Sequence, residues 1–203
     1  LLLVSKPPQP AVLKKVQALV RKIKKPVVAL FLGEGGMPAT LEQAALIAVA
    51  QANGQDPAKA LARLDRRDEI LQAEARAIVA KRKKPQGRYL RGLFSGGTFN
   101  AEAQVVLDGI VRHLYSNAPL GDSQKLKNAW KPEKNSVIDL GEDEFTVGRA
   151  HPMIDYTLRN KMILDEAAHP DVAVILLDVV LGHGANLDPA AELVIRALGH
   201  HVD

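Results

Sequence analysis

The chain has 203 residues, 47% of them apolar and 25% charged, which is enough for one domain or two small ones with a real hydrophobic core. It contains no cysteine, which excludes disulfides and thiolate metal sites and sets the expectation of a cytoplasmic protein, and no apolar run reaches membrane-spanning length. The net charge of +4 is local: residues 56–91 hold eleven basic against five acidic side chains, so that segment carries +6 and the remainder −2.

Leu1–Val4 reads as a buried strand that opens the chain without a methionine, so a fragment of a longer chain is expected. A proline-rich turn follows, and Val12, Leu13, Val16, Leu19, Val20 and Ile23 then recur at helical spacing until Pro26 stops the helix. Val27–Phe31 is a second buried strand running into Gly33-Glu34-Gly35-Gly36. Strand, helix and strand in that order make a β-α-β unit and predict a parallel sheet. Thr40 caps a further helix that Asn53-Gly54 ends.

Residues 57–84 contain neither glycine nor proline beyond Pro57 and predict one long helix, with Leu61, Leu64, Leu71, Ala75 and Ile78 on one stripe. Its basic character is that of a solvated helix face and a linker. No aromatic interleaving accompanies the charge, so a nucleic-acid partner is not expected, and attraction of a phosphorylated or CoA-bearing substrate is the other reading.

The most informative stretch comes next. A β-type run, Arg88 to Phe94, enters Ser95-Gly96-Gly97-Thr98, and a helical pattern starts at once with Phe99, Ala103, Val106 and Leu107 on its apolar face. Glycines let backbone N–H groups approach a ligand, and a helix start favours negative charge, so Ser95, Gly96, Gly97 and Thr98 are candidate phosphate-binding residues. The turn lacks the Gly-Lys-Ser/Thr ending of a Walker loop and the third glycine of a dinucleotide fingerprint.

Residues 116–135, polar and carrying the lone Trp130, read as a long loop before a short strand, Ser136–Leu140. Gly148 to Asp155 form a second cluster: Arg149 is a candidate phosphate ligand, His151 a candidate proton or phosphoryl carrier, and Asp155 a helix cap, with orientation of the imidazole as its alternative role. Ala173–Val180 is a long buried strand ending in Gly182-His183-Gly184, where flanking glycines leave His183 accessible as a candidate nucleophile. Asp188 precedes a helix as its cap, His113 and His169 are incidental, and the His200-His201 pair lacks a third metal ligand. The closing strand–turn–helix repeats the order of Leu1–Val20, which predicts two related α/β units: 1–54, then 87–203, joined by a helical basic spacer at 55–86.

The segments GLFSGGTFNAEA (Gly92–Ala103), VIDLGEDEFTVGRAHPMIDYTLRN (Val137–Asn160) and VILLDVVLGHGANLDPAAELV (Val174–Val194), with LLLVSKPP and KPVVALFLG, resemble the FdrA family of acyl-CoA-synthetase-like proteins, relatives of the succinyl-CoA synthetase α subunit. The resemblance implies flavodoxin-like parallel sheets of the CoA-ligase type with helices on both faces. It implies an acid–CoA ligation at the expense of a nucleoside triphosphate with Mg, through a phosphorylated intermediate, with Ser95–Thr98 at the phosphate-binding helix start, a small-molecule substrate and a partner subunit or oligomer. In the ligases a phosphorylated histidine follows the strand matching Val27–Phe31; here that place reads Gly33-Glu34-Gly35-Gly36-Met37-Pro38, without histidine. The family's association with allantoin and oxalurate breakdown implies carbamoyl transfer as the runner-up, and a non-catalytic subunit is the further alternative.

Overall fold

The computed structural model describes residues 1–81 and 87–198. The predicted helix positions 82–84 and the His200-His201 pair lie outside them. The chain divides into two compact units, Leu1–Lys84 and Pro85–Asp203.

In the first unit, β1 (Leu2–Ser5), α1 (Pro10–Val20) and β2 (Val28–Phe31) form the expected parallel β-α-β arrangement, with Leu2 opposite Val28 and Ser5 opposite Phe31. β2 buries Val28 and Leu30. β1 is not the buried strand its composition predicts: Leu2 and Val4 face solvent, because among the described residues the sheet has only these two strands. α2 (Leu41–Ala52) buries Ala44, Ile47 and Ala50 and starts in a capping box: Thr40 Oγ1 accepts from Gln43 N–H at 3.3 Å, and Gln43 Oε1 accepts from Ala39 N–H at 2.8 Å.

α3 (Pro57–Lys81) is the predicted long helix and packs on α2. Its stripe is covered only near the start, where Leu64 is buried; Leu71 and Ile78 are exposed. Arg67 forks onto Glu42 at 2.5 and 2.7 Å, and that hydrogen-bonded guanidinium holds the Glu42 carboxyl below its ordinary range.

In the second unit five parallel strands run in the order β5-β4-β6-β3-β7: β3 (Tyr89–Phe94), β4 (Leu114–Ser116), β5 (Gln124–Lys125), β6 (Asn135–Asp139) and β7 (Val172–Leu177). Strand alternation distributes the core to two faces. Leu93, Ile138, Ile175 and Leu177 pack with Met162 of α6 (Thr157–Ala167). Phe94, Leu114 and Val137 pack with Ala103 and Leu107 of α4 (Gly97–Leu107). The result is an α/β layer structure with helices on both sides of a parallel sheet. α5 (Asp143–Thr146) and α7 (Pro189–Leu198) complete the unit.

Three expectations change here. Residues 116–135 are not a free loop. They include the end of β4 and all of β5, put Leu126 and Ala129 into the core, and seat Trp130 against Phe145 with ring centroids 4.7 Å apart. α4 does not bury Phe99 or Val106. It buries Asn100 and Gln104, and the Gln104 amide pins the following segment: Gln104 Nε2 donates to Ala118 O at 3.1 Å, and Gln104 Oε1 accepts from Leu120 N–H at 2.8 Å. β7 is an edge strand with Val174 and Leu176 exposed on the face opposite α6. No described helix is long and apolar enough to cross a membrane.

Candidate functional site

Parallel strands bring all their carboxyl ends to one edge of the sheet, and loops leaving that edge hold ligands in open α/β folds. β3 leads into Ser95, β4 into Asn117, β6 ends at Asp139 and leads into Leu140-Gly141, and β7 leads into Asp178.

Ser95 turns inward. It is 1% exposed; its N–H donates to Asp178 Oδ1 at 2.8 Å and its hydroxyl to Asp178 Oδ2 at 2.6 Å. As folded, those two groups support the turn rather than face a ligand. Gly96 is the N-cap of α4 in extended backbone, and no side chain caps the helix. Gly97, Thr98 and Phe99 therefore present first-turn N–H groups that an α-helix leaves without internal partners. Gly96 and Gly97 are half-buried, Thr98 is exposed, and a Cβ on Gly96 would meet nothing within 4 Å. The first turn also carries no acidic side chain. The arrangement is open and donor-rich, and the nearby Asp178 carboxylate is taken up by the Ser95 N–H and hydroxyl.

Asp178 receives a second partner. Arg159 of α6 donates Nη1–H to Asp178 Oδ1 at 2.9 Å and to its backbone oxygen at 2.8 Å. Arg159, Asp178 and Ser95 thus form a buried chain from α6 through β7 to the start of α4. On the other side Asn117 joins β4 to β6, its Oδ1 accepting from Asp139 N–H at 2.8 Å and its Nδ2 donating to Asp139 O at 2.8 Å and Glu144 Oε1 at 3.1 Å. Lys125 Nζ donates to Asn117 O.

His151 comes to this edge. Its Nδ1 accepts from Met153 N–H at 3.2 Å, and a nitrogen that accepts carries no proton, so the neutral ring holds its proton on Nε2. That Nε2 lies over Gly141. A Cβ built there would sit 3.0 Å from His151 Nε2, 3.1 Å from Asp139 Oδ1 and 3.1 Å from Ser95 O. Glycine is needed at 141 so that the imidazole can approach the β3–α4 turn. Asp155 does not orient this ring. It accepts from Thr157 N–H at 2.9 Å at the start of α6, and the Thr157 hydroxyl followed by that N–H lower its pKa.

Arg149 is exposed, and its guanidinium lies over the Trp130 ring at 5.2 Å from the centroid, with no ion pair among the described residues. His183 is exposed in the turn after β7. That turn is joined to the His151 turn by Asn186, whose N–H donates to Met153 O at 2.9 Å and whose Nδ2 donates to Ile154 O at 3.2 Å. Asp188 caps α7, accepting from Ala191 N–H at 3.1 Å. Among the described residues no three His, Asp or Glu side chains gather as a metal site.

Sequence reasoning missed Asp178, Arg159, Asn117 and Gly141. One signal was available for Arg159: Tyr156, Arg159 and Met162 stand at helical spacing, so a charged residue occupies the core stripe of α6.

The model of the CoA-ligase family matches residues 93–199, more than half of the chain and all of this strand edge. This chain belongs to the CoA-ligase family. The CoA-ligase match begins in β3 and takes in the Ser95–Thr98 turn, His151 and His183. A curated relative, the uncharacterized protein YahF of Escherichia coli (strain K12), is 36% identical over 195 residues, which cover 95% of this chain and 38% of the relative. The chain therefore spans well under half the length of that relative.

Proposed function

We propose that this CoA-ligase-family chain is the phosphate-handling part of an acid–CoA-ligase-like protein of the FdrA kind. In this reading the α4 start, Gly96–Thr98, receives a phosphate or phosphoryl group and His151 donates its Nε2–H toward it. The observation that carries the reading is the uncapped, glycine-rich start of α4 at the carboxyl edge of a parallel sheet, with His151 brought beside it over Gly141.

The family's cofactors are CoA and a nucleoside triphosphate with Mg. The phosphate portion of either fits the donors of the α4 start. No described side-chain cluster would hold the metal by itself, so it would arrive on the nucleotide's phosphates. When bound, the triphosphate supplies the phosphoryl group that activates a carboxylic acid. The chain's own residues bind and orient. Backbone N–H groups of Gly97 and Thr98 take phosphoryl oxygens, and the exposed Thr98 hydroxyl adds a donor. Ser95, held by Asp178, fixes the entry to the helix. His183 is the accessible second imidazole, on a turn that Asn186 ties to the His151 turn. A partner subunit or the remainder of a longer chain would complete the machinery.

Carbamoyl transfer is the second reading. The Ser95 carbonyl oxygen beside His151 is an acceptor of the sort an amide NH₂ needs and a bare phosphate does not.

Equilibrium binding of CoA, ATP and carbamoyl phosphate, each in turn, tests both. At least one phosphate-bearing ligand is expected to bind, and Thr98→Val is expected to weaken it by about 2- to 10-fold, the worth of one hydrogen bond. If none of the three binds, the chain is a non-catalytic member of its family and the enzyme reading is wrong.

A further inference from the structure

Arg159 is buried at 0% exposure, yet only one of its three guanidinium nitrogens is paired. Nη1 goes to Asp178, while Nε and Nη2 have no hydrogen-bond partner. Those two nitrogens carry the parallel N–H pair along one edge of the planar guanidinium, the fork that grips two oxygens of a carboxylate or phosphate at once. Tyr156 covers one face of the plane, its ring centroid 4.1 Å from the guanidinium carbon. Tyr156 Oη, at the N-cap of α6, and Asn160 Nδ2 of α6 are also buried without partners. All of these groups can donate, so this end of α6 is short of acceptors. A buried, unpaired charged donor is expensive to keep, and an oxyanion supplies the missing acceptors.

The fork's position gives it a purpose. The same guanidinium holds Asp178, and Asp178 holds the N–H and hydroxyl of Ser95, the residue immediately before the N-cap of α4. We propose that the Nε/Nη2 fork of Arg159 is an oxyanion subsite at the start of α6, linked to the α4 start through Nη1, Asp178 and Ser95, and that Arg159 is its cation. Arg149 is exposed and lies over the Trp130 ring. The ligand class is an oxyanion with two oxygens on one centre, from either a phosphoryl group or a substrate carboxylate. The inference rests on the reading that the α4 start takes an anion. The side chain is wholly buried, so the proposal requires the turns bordering α6 and Asp178, joined by the Asn186 hydrogen bonds, to part for the anion to enter.

The test is a titration of the 15N-labelled 203-residue chain with inorganic phosphate and, separately, with succinate, following the Arg159 Nε–H resonance together with the backbone amides of Gly97 and Thr98. The Arg159 resonance is expected to shift saturably in at least one arm, and the arm that saturates identifies phosphate or carboxylate as the source. If Gly97 and Thr98 shift while Arg159 does not, the fork is sealed around water and the subsite is wrong, although the anion reading of α4 stands. If nothing shifts, both are wrong. Arg159→Lys keeps a cation for Asp178 but removes the fork, and is expected to weaken the responding anion by about tenfold or more. A folded Arg159→Lys protein that binds it as tightly as the wild type overturns the proposal; should that variant not fold, the wild-type titration decides.

Discussion

Asp178→Ala is expected to lower the stability of the second unit by about 3–5 kcal/mol, the usual cost of removing one member of a buried ion pair. The side chains involved are nearly sealed: that of Arg159 is 0% and that of Asp178 5% exposed. The substitution leaves a buried guanidinium without its countercharge and strands the Ser95 N–H and hydroxyl, which have no other hydrogen-bond partner among the described residues. Set against a typical domain stability of about 5–15 kcal/mol, that loss brings the unit close to unfolding. Chemical denaturation followed by circular dichroism measures it. Replacing both partners together, as Arg159→Met with Asp178→Leu, should recover much of the stability, because a charge-free core carries no uncompensated ion. Anion binding should not return with it, since the support of Ser95 is gone. An Asp178→Ala protein within about 1 kcal/mol of wild type would contradict this account of the sheet edge.

His151→Ala is expected to weaken the bound phosphate ligand by about 10- to 100-fold, the range for a hydrogen bond to a charged group. The Met153 N–H on Nδ1 makes Nε2 the donor, so the ring as placed gives a proton or a hydrogen bond. To carry a phosphoryl group on Nε2, the ring would have to move its proton to Nδ1 and lose the Met153 bond. Glutamine can present an amide N–H near the Nε2 position, so His151→Gln should bind several-fold better than His151→Ala by about the worth of one hydrogen bond. Gly141→Ala should mimic the loss while the protein stays folded, because its methyl group would press on the imidazole nitrogen. Calorimetric titration of the three variants checks the ranking. Acid-labile phosphate recovered on His151 after incubation with a nucleoside triphosphate would contradict the donor role.

The parallel frame was legible because its strands are short aliphatic runs bounded by turn residues: β2, β3 and β6 lie within a residue of where periodicity puts them, while β7 stops at Leu177, three residues short of the expected Val180, where Asp178 turns to Ser95 and Arg159. β4 and β5 were not, since Leu114-Tyr115-Ser116 and Gln124-Lys125 carry no alternating apolar pattern and join the sheet through pairing with β6 and with each other. The buried face of α4 was misread for a related reason. Asn100 and Gln104 look like solvent residues, but the Gln104 amide is buried because it satisfies the backbone of Ala118 and Leu120, and Asn100 Oδ1 accepts from Gln104 Nε2 and the Ser116 hydroxyl. The glycine-rich turn and His151 stood out as residues, while their supports did not. Asp178 meets Ser95 across 83 residues and Arg159 across 19, separations at which no local spacing rule operates. Charged residues on core stripes were the one trace of such pairing, in Arg159 and again in Arg91 of β3 and Glu166 of α6, which pair at 2.7 Å.

The central claim is that the start of α4 binds a phosphate group. A crystal structure of the protein grown or soaked in phosphate tests it most directly. The account predicts an anion at Gly96–Thr98 within hydrogen-bond distance of the Gly97 and Thr98 N–H groups, with the His151 Nε2 side of the ring toward it. A turn that holds only water at phosphate concentrations saturating any measured binding, or an anion seated elsewhere, would contradict it.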